Sequence, residues 1–148
     1  MPTHPGPESV LGGESSAIVI RVGTDLVCVD AVRDAFEAHG SRYLTRVYTE
    51  REVEDCRTGG TVDPERLAAR FAAKEATIKL LRGGNASVPW RSIEVRRDPS
   101  GWVDLVLSGP AATLAETAGI RDLSLSVSHE GGFASAVVVA ELRGDGDE

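Results

Sequence analysis

The chain has 148 residues, of which 41% are hydrophobic and 26% charged, enough for one domain with a modest core. Its formal charge is -7, from 23 acidic and 16 basic residues, which argues against nucleic acid or an anionic lipid surface as partner. No local patch reverses this, because the arginines between Arg42 and Arg57 are matched by Glu50, Glu52, Glu54 and Asp55, and no stretch approaches the length of a membrane span.

Residues 1–16 read as a flexible leader rich in Pro, Gly, Ser and Glu, without the basic patch and apolar run of a signal peptide. Residues 17–142 then form the single domain, and 143–148 a polar, flexible tail. The two cysteines, Cys28 and Cys56, make neither a disulfide framework nor a C-x-x-C zinc pair. They are expected as buried thiols in a reducing, cytoplasmic compartment.

The apolar run Ala17–Val22 predicts a strand, with Gly23-Thr24-Asp25 at or just past its end. Asp30 is a candidate cap for a helix carrying Val32 and Phe36 and ending near Gly40. Thr49 and Glu52 have the spacing of a capping box. The clearest helix follows: Asp63 as N-cap, Pro64 at the first position, apolar residues Leu67, Phe71, Ile78 and Leu81 at helical spacing, and Gly83-Gly84 as the stop.

Ser92–Arg97 and Trp102–Leu107 read as strands of a hairpin around Asp98-Pro99-Ser100-Gly101. Gly109-Pro110 opens a helix running to Gly119. Leu123–Val127 alternates apolar and serine residues, a His-Glu-Gly-Gly turn follows, and Phe133–Leu142 forms the last strand. Strand, helices, hairpin, helix, hairpin is the order of an α+β domain with antiparallel sheet.

Three places invite chemistry. Asp25 follows a glycine near a strand end, where a turn or cap role is the ordinary reading. Glu75 borders the apolar face of the long helix, and its ordinary partner is Lys79, one turn on; a metal role is the alternative. His129 sits in the expected polar turn, preceded by Ser124, Ser126 and Ser128 on one strand face, which either meets solvent or lines a phosphate-binding cleft. There is no G-x-S-x-G elbow, and Gly83-Gly84 lacks the Lys-Ser or Lys-Thr of a phosphate loop.

The helix text Arg70-Phe71-Ala72-Ala73-Lys74-Glu75-Ala76-Thr77-Ile78-Lys79 resembles the W/F-x-x-K-E-x-x-x-K signature of phosphopantetheinyl transferases. Gly23-Thr24-Asp25 resembles that family's G-x-D, and Ser126-Val127-Ser128-His129 its S-x-S/T-H segment; Tyr48-Thr49-x-x-Glu52 resembles its F-T-x-x-E. Order and separations match the short holo-acyl-carrier-protein synthase type over roughly Ile18 to Leu142. The resemblance implies a 4'-phosphopantetheinyl transferase fold, an antiparallel sheet with a long central helix packed as a homotrimer with active sites between subunits. It implies coenzyme A as substrate, Mg2+ as cofactor and an apo acyl carrier protein, of fatty acid or polyketide type, as partner.

By the same resemblance, Asp25 and Glu75 bind the metal, and Glu75, Lys79 and Asp25 are catalytic. Lys79 contacts the pyrophosphate, and His129 with Ser128 lies by the nucleotide. Lys74, Gly83 and Gly84 are further coenzyme contacts, and Arg33, Arg42, Arg46 and Arg51 are candidates for docking the carrier. Three details depart from the pattern: Thr24 where an aliphatic residue is usual, Ala31 where a basic one is, and Ser100-Gly101-Trp102 in place of a Gly-Lys-Pro turn. The alternative from another class is a catalytically silent carrier-binding scaffold on the same fold.

Overall fold

The computed structural model describes residues 17–84 and 87–144; the expected leader and most of the expected tail lie outside these. Strand β1 (Val19–Cys28) leads into helices α1 (Val29–His39), α2 (Ser41–Val47) and α3 (Glu50–Asp55). A small hairpin, β2 (Arg57–Thr58) and β3 (Thr61–Val62), precedes the long helix α4 (Pro64–Leu81). Hairpin β4 (Ile93–Arg97) and β5 (Val103–Leu107), helix α5 (Gly109–Ala118), and strands β6 (Ile120–Glu130) and β7 (Phe133–Leu142) complete the domain. The main sheet is antiparallel with order β1-β7-β6, so the α+β expectation holds. No helix among the described residues is long and apolar enough to cross a membrane.

Helix α4 lies on one face of this sheet because both surfaces carry small side chains. The helix offers Ala68, Ala72, Ala73 and Ala76, and the central strand offers Ala134, Ala136, Val138 and Ala140, all buried. Contact is closest at Gly23 of β1, where an added Cβ would stand 2.1 Å from the Ala76 carbonyl oxygen. A glycine inside a strand commonly marks such an approach. The other sheet face is open. Ile20, Val22 and Leu26 of β1 and Val137 of β7 remain exposed there, in line with Ser124, Ser126 and Ser128 of β6.

A buried polar centre ties α4 to its surroundings. The Thr49 hydroxyl accepts from Glu52 N, and Glu52 Oε1 accepts from Thr49 N, completing the expected capping box. Glu52 also accepts from Val95 N at 3.1 Å and pairs with Lys74 Nζ at 2.7 Å. Both side chains are fully buried. Burial pushes the Lys74 ammonium below its usual pKa, and the Glu52 carboxylate pulls it back up.

Several expected boundaries shift. β1 continues through Asp25 to Cys28, paired with β7 along its length, so Asp25 is inside a strand instead of at its end. Helix α1 starts at Val29 with no side-chain cap, and Asp30 in its first turn pairs with Arg33 at 2.6 Å. Asp63 caps α4 as expected, accepting from Glu65 N. The helix stops at Leu81 with Arg82 in the left-handed region (φ 50), one residue before Gly83-Gly84. β6 runs to Glu130, which places His129 in the strand and shortens the turn. Cys56 is buried as expected, but Cys28 is exposed at the end of β1.

Candidate active site

The C-terminal half of α4 and the middle of β1 bring two of the expected residues, Asp25 and Lys79, into contact. Lys79 Nζ lies 2.9 Å from Asp25 Oδ1 and donates to the Thr24 carbonyl at 3.0 Å. Glu75 is one turn earlier on the helix, which sets the Cβ atoms of Glu75 and Lys79 about 6 Å apart. The ordinary Glu75–Lys79 pair is not formed. Lys79 turns to Asp25, and Glu75 Oε1 accepts from the indole Nε1 of Trp90 at 2.9 Å. The contact at Gly23 makes this possible, because it seats α4 against the strand two residues before Asp25.

Glu75 faces a cavity of about 420 Å³ whose other walls include Arg46, Ile78, Val88, Pro89 and Trp90. One wall is apolar and the other carries a carboxylate and a guanidinium. Gly84, exposed and with φ 61, follows the helix end beyond Lys79 and Leu81. Its conformation suits a loop where backbone replaces side chain, but no contact ties Gly83 or Gly84 to Asp25 or Glu75.

His129 and Ser128 stand elsewhere in the chain. His129 Nδ1 is 3.2 Å from Glu65 Oε2, in the first turn of α4. Glu65 and Lys79 stand fourteen positions apart on the helix, about 21 Å at 1.5 Å per residue. Ser128 alternates onto the open sheet face and bonds the Ser135 hydroxyl at 2.9 Å, so it and His129 point to opposite sides. Within one chain, therefore, His129 does not share the open face that carries the serines.

The assignment of Lys74 as a coenzyme contact is corrected. Its ammonium is fully buried, pairs with Glu52, and donates to the carbonyls of Trp90 (3.0 Å) and Ile93. All three of its protons have partners inside the protein, so the residue is structural.

The donor set fits a hard, oxygen-seeking cation. Asp25 and Glu75 each engage one carboxylate oxygen with an N–H donor and keep a second. Among the described residues no cluster of three or more His, Cys, Asp or Glu exists that would cage a metal with protein alone. In proteins generally, Mg2+ is held by one or two carboxylates with waters and substrate phosphates making up the remainder.

A family model described as the 4'-phosphopantetheinyl transferase superfamily matches residues 21–138. This chain belongs to that superfamily. A relative from Salinispora arenicola named holo-[acyl-carrier-protein] synthase is 43% identical over 124 residues, covering 84% of this chain and 99% of its own. One of the same name from Halothermothrix orenii is 42% identical over 120 residues, covering 81% and 95%. Among solved structures, an ACPS–CoA complex from Chronobacterium ammoniagenes matches with TM-score 0.74 and 33% identity, covering 84% of this chain and 98% of that one. The Helicobacter pylori holo-[acyl-carrier-protein] synthase in complex with coenzyme A matches with TM-score 0.70 and 28% identity, covering 80% and 98%.

In this superfamily member, sequence reasoning missed Trp90 and the placement of Arg46. Trp90 lies between helix α4 and strand β4 without periodic context, so nothing in the residue pattern linked it to Glu75 fifteen residues earlier. Gly23 was legible only as part of a motif, although a lone glycine within an apolar strand already signals a close backbone approach.

Proposed function

We propose that the protein transfers the 4'-phosphopantetheine group of coenzyme A to a serine of an apo acyl carrier protein, releasing adenosine 3',5'-bisphosphate. The observation that carries this is the Asp25–Lys79 contact one helical turn from Glu75, with Glu75 itself lining an open, partly apolar cavity. The names of the relatives and the coenzyme A bound in two of the matched structures support it.

Phosphoryl transfer needs positioning and charge neutralisation more than covalent chemistry. The cavity beside Glu75 is apolar on the side of Ile78, Val88 and Pro89, which suits the pantetheine arm. The carrier serine oxygen attacks the phosphorus bearing that arm, and the bond from this phosphorus to the bridging oxygen of the pyrophosphate breaks. The electron pair leaves on the nucleotide phosphate, where the Lys79 ammonium offsets the added charge. Glu75 receives the serine proton, directly or through one water. Asp25 and Glu75 would hold Mg2+, which supplies charge neutralisation to the pyrophosphate oxygens.

The distance between His129 and Lys79 favours an active site completed by a second copy of the chain. His129 and Ser128 of one subunit would then meet the nucleotide held at Asp25, Glu75 and Lys79 of another. The exposed apolar side chains of Ile20, Val22, Leu26 and Val137 are the surface we assign to a homotrimer. The carrier's acidic helix would dock on the groove lined by His39, Arg42, Tyr43 and Arg46. Arg33 is already paired with Asp30, which ranks it below Arg42 and Arg46.

The test is to follow adenosine 3',5'-bisphosphate formation with coenzyme A, Mg2+ and apo carrier. Glu75→Gln should abolish it while the oligomeric state stays that of the parent. A variant that falls apart would give Glu75 a structural role instead, and a parent protein that binds carrier without turnover would favour the silent scaffold.

A further inference from the structure

Trp90 is the residue most closely joined to Glu75, and its surroundings hold it from four sides. The indole N–H donates to Glu75 Oε1 at 2.9 Å. The ring meets Phe71 with centroids 6.0 Å apart at 46°, and the Arg46 guanidinium stands 5.8 Å from the ring centroid. The Trp90 carbonyl accepts from Lys74 Nζ at 3.0 Å. Its loop is tightened further by Ser92, whose N and Oγ both donate to the Pro89 carbonyl.

Neighbouring residues of one helix thus grip the same tryptophan at two points. Lys74 fixes its backbone from the buried Glu52 centre, and Glu75 receives its indole proton. A glutamate on a helix has three side-chain torsions, and a half-exposed one samples several rotamers. A single directed N–H donor removes most of that freedom, and it leaves Oε2 as the oxygen available to a ligand. Groups that orient a ligating side chain in this way typically change metal affinity or activity 10- to 100-fold when lost.

We propose that Trp90 is the positioning residue for Glu75: its indole N–H sets the carboxylate for metal and substrate, and Lys74 with Glu52 sets Trp90. This rests on the phosphopantetheinyl transfer reading, with Glu75 as metal ligand. It gives the buried Lys74 a role without any contact to coenzyme A.

Trp90→Phe keeps an aromatic ring between Phe71 and Arg46 and deletes the donor. Mn2+ binding to the protein without coenzyme A, measured by electron paramagnetic resonance, should weaken about 10- to 100-fold. Phe71→Leu serves as the control, since it loosens the same packing but keeps the indole N–H that Glu75 accepts; it should lower the melting temperature and leave Mn2+ affinity near that of the parent. Glu75→Gln/Trp90→Phe should bind Mn2+ no more weakly than Glu75→Gln alone, because the tryptophan acts only through the carboxylate.

Parent-like Mn2+ affinity in Trp90→Phe overturns the proposal. So does an equal loss in Phe71→Leu, or an additive loss in the double variant. A parent protein that neither binds Mn2+ nor transfers phosphopantetheine would overturn the underlying functional reading, which separates the two failures.

Discussion

Replacing Lys74 by methionine separates a structural lysine from a coenzyme-binding one. The side chain keeps similar length and loses its charge. Glu52, fully buried, would keep its hydrogen bonds from Thr49 N and Val95 N but lose its countercharge. Removing one partner of a buried ion pair costs about 3–5 kcal/mol. For a chain of this size each kcal/mol moves the melting temperature by about 2–4 °C. Lys74→Met should therefore melt about 6–20 °C below the parent by calorimetry. Adding Glu52→Gln should recover part of the loss, because a neutral acceptor tolerates burial better than an unpaired carboxylate. Coenzyme A affinity, measured at a temperature where the variant is folded, should fall no further than in Trp90→Phe, because Lys74 reaches the site only through Trp90. A Lys74→Met protein with parent-like melting and lost coenzyme A binding would refute the reasoning and return Lys74 to the coenzyme site.

Gly23→Ala should lower both stability and transfer, since its Cβ would collide with the Ala76 carbonyl and push α4 away from Asp25; parent-like activity would contradict the close approach. Leu26→Glu, on the open sheet face, should convert the proposed trimer to monomers in light scattering and lose transfer with it; an unchanged mass would remove that face from the interface. Burial pushes the Cys56 thiol up to about 11, so native alkylation at neutral pH should spare it and label the exposed Cys28; equal labelling of both would contradict the described core.

Local signals carried much of this structure. The capping box at Thr49 and Glu52 and the Asp63-Pro64 start of α4 are set by neighbouring residues, and both formed as expected. The hairpin around Asp98–Gly101 did too. The short helix α2 and the hairpin of β2 and β3 were not anticipated, because neither has an apolar period long enough to stand out. β1 and β6 were drawn too short. Their ends are held by pairing with β7, which a strand's own residues do not announce.

The site divides along the same line. Asp25, Glu75 and Lys79 were legible together only through the family motifs, and two of them touch. Which partner each takes was not legible. Glu75 turned to Trp90, and Lys79 crossed 54 residues of sequence to Asp25. Lys74 lay beside Glu75 in the text, yet its direction into the core follows from helix geometry and from Glu52, 22 residues earlier. His129 has its place at the far end of α4 because Glu65 meets it there, a tertiary contact that spacing alone does not reveal.

The most direct measurement is the intact mass of a purified apo acyl carrier protein after incubation with this protein, coenzyme A and Mg2+, beside the same mixture with excess chelator. A gain of one phosphopantetheine on the carrier, absent with chelator and absent with Glu75→Gln, is the predicted result. An unmodified carrier in every mixture, with fatty acid and polyketide carriers alike, would contradict the proposed transfer.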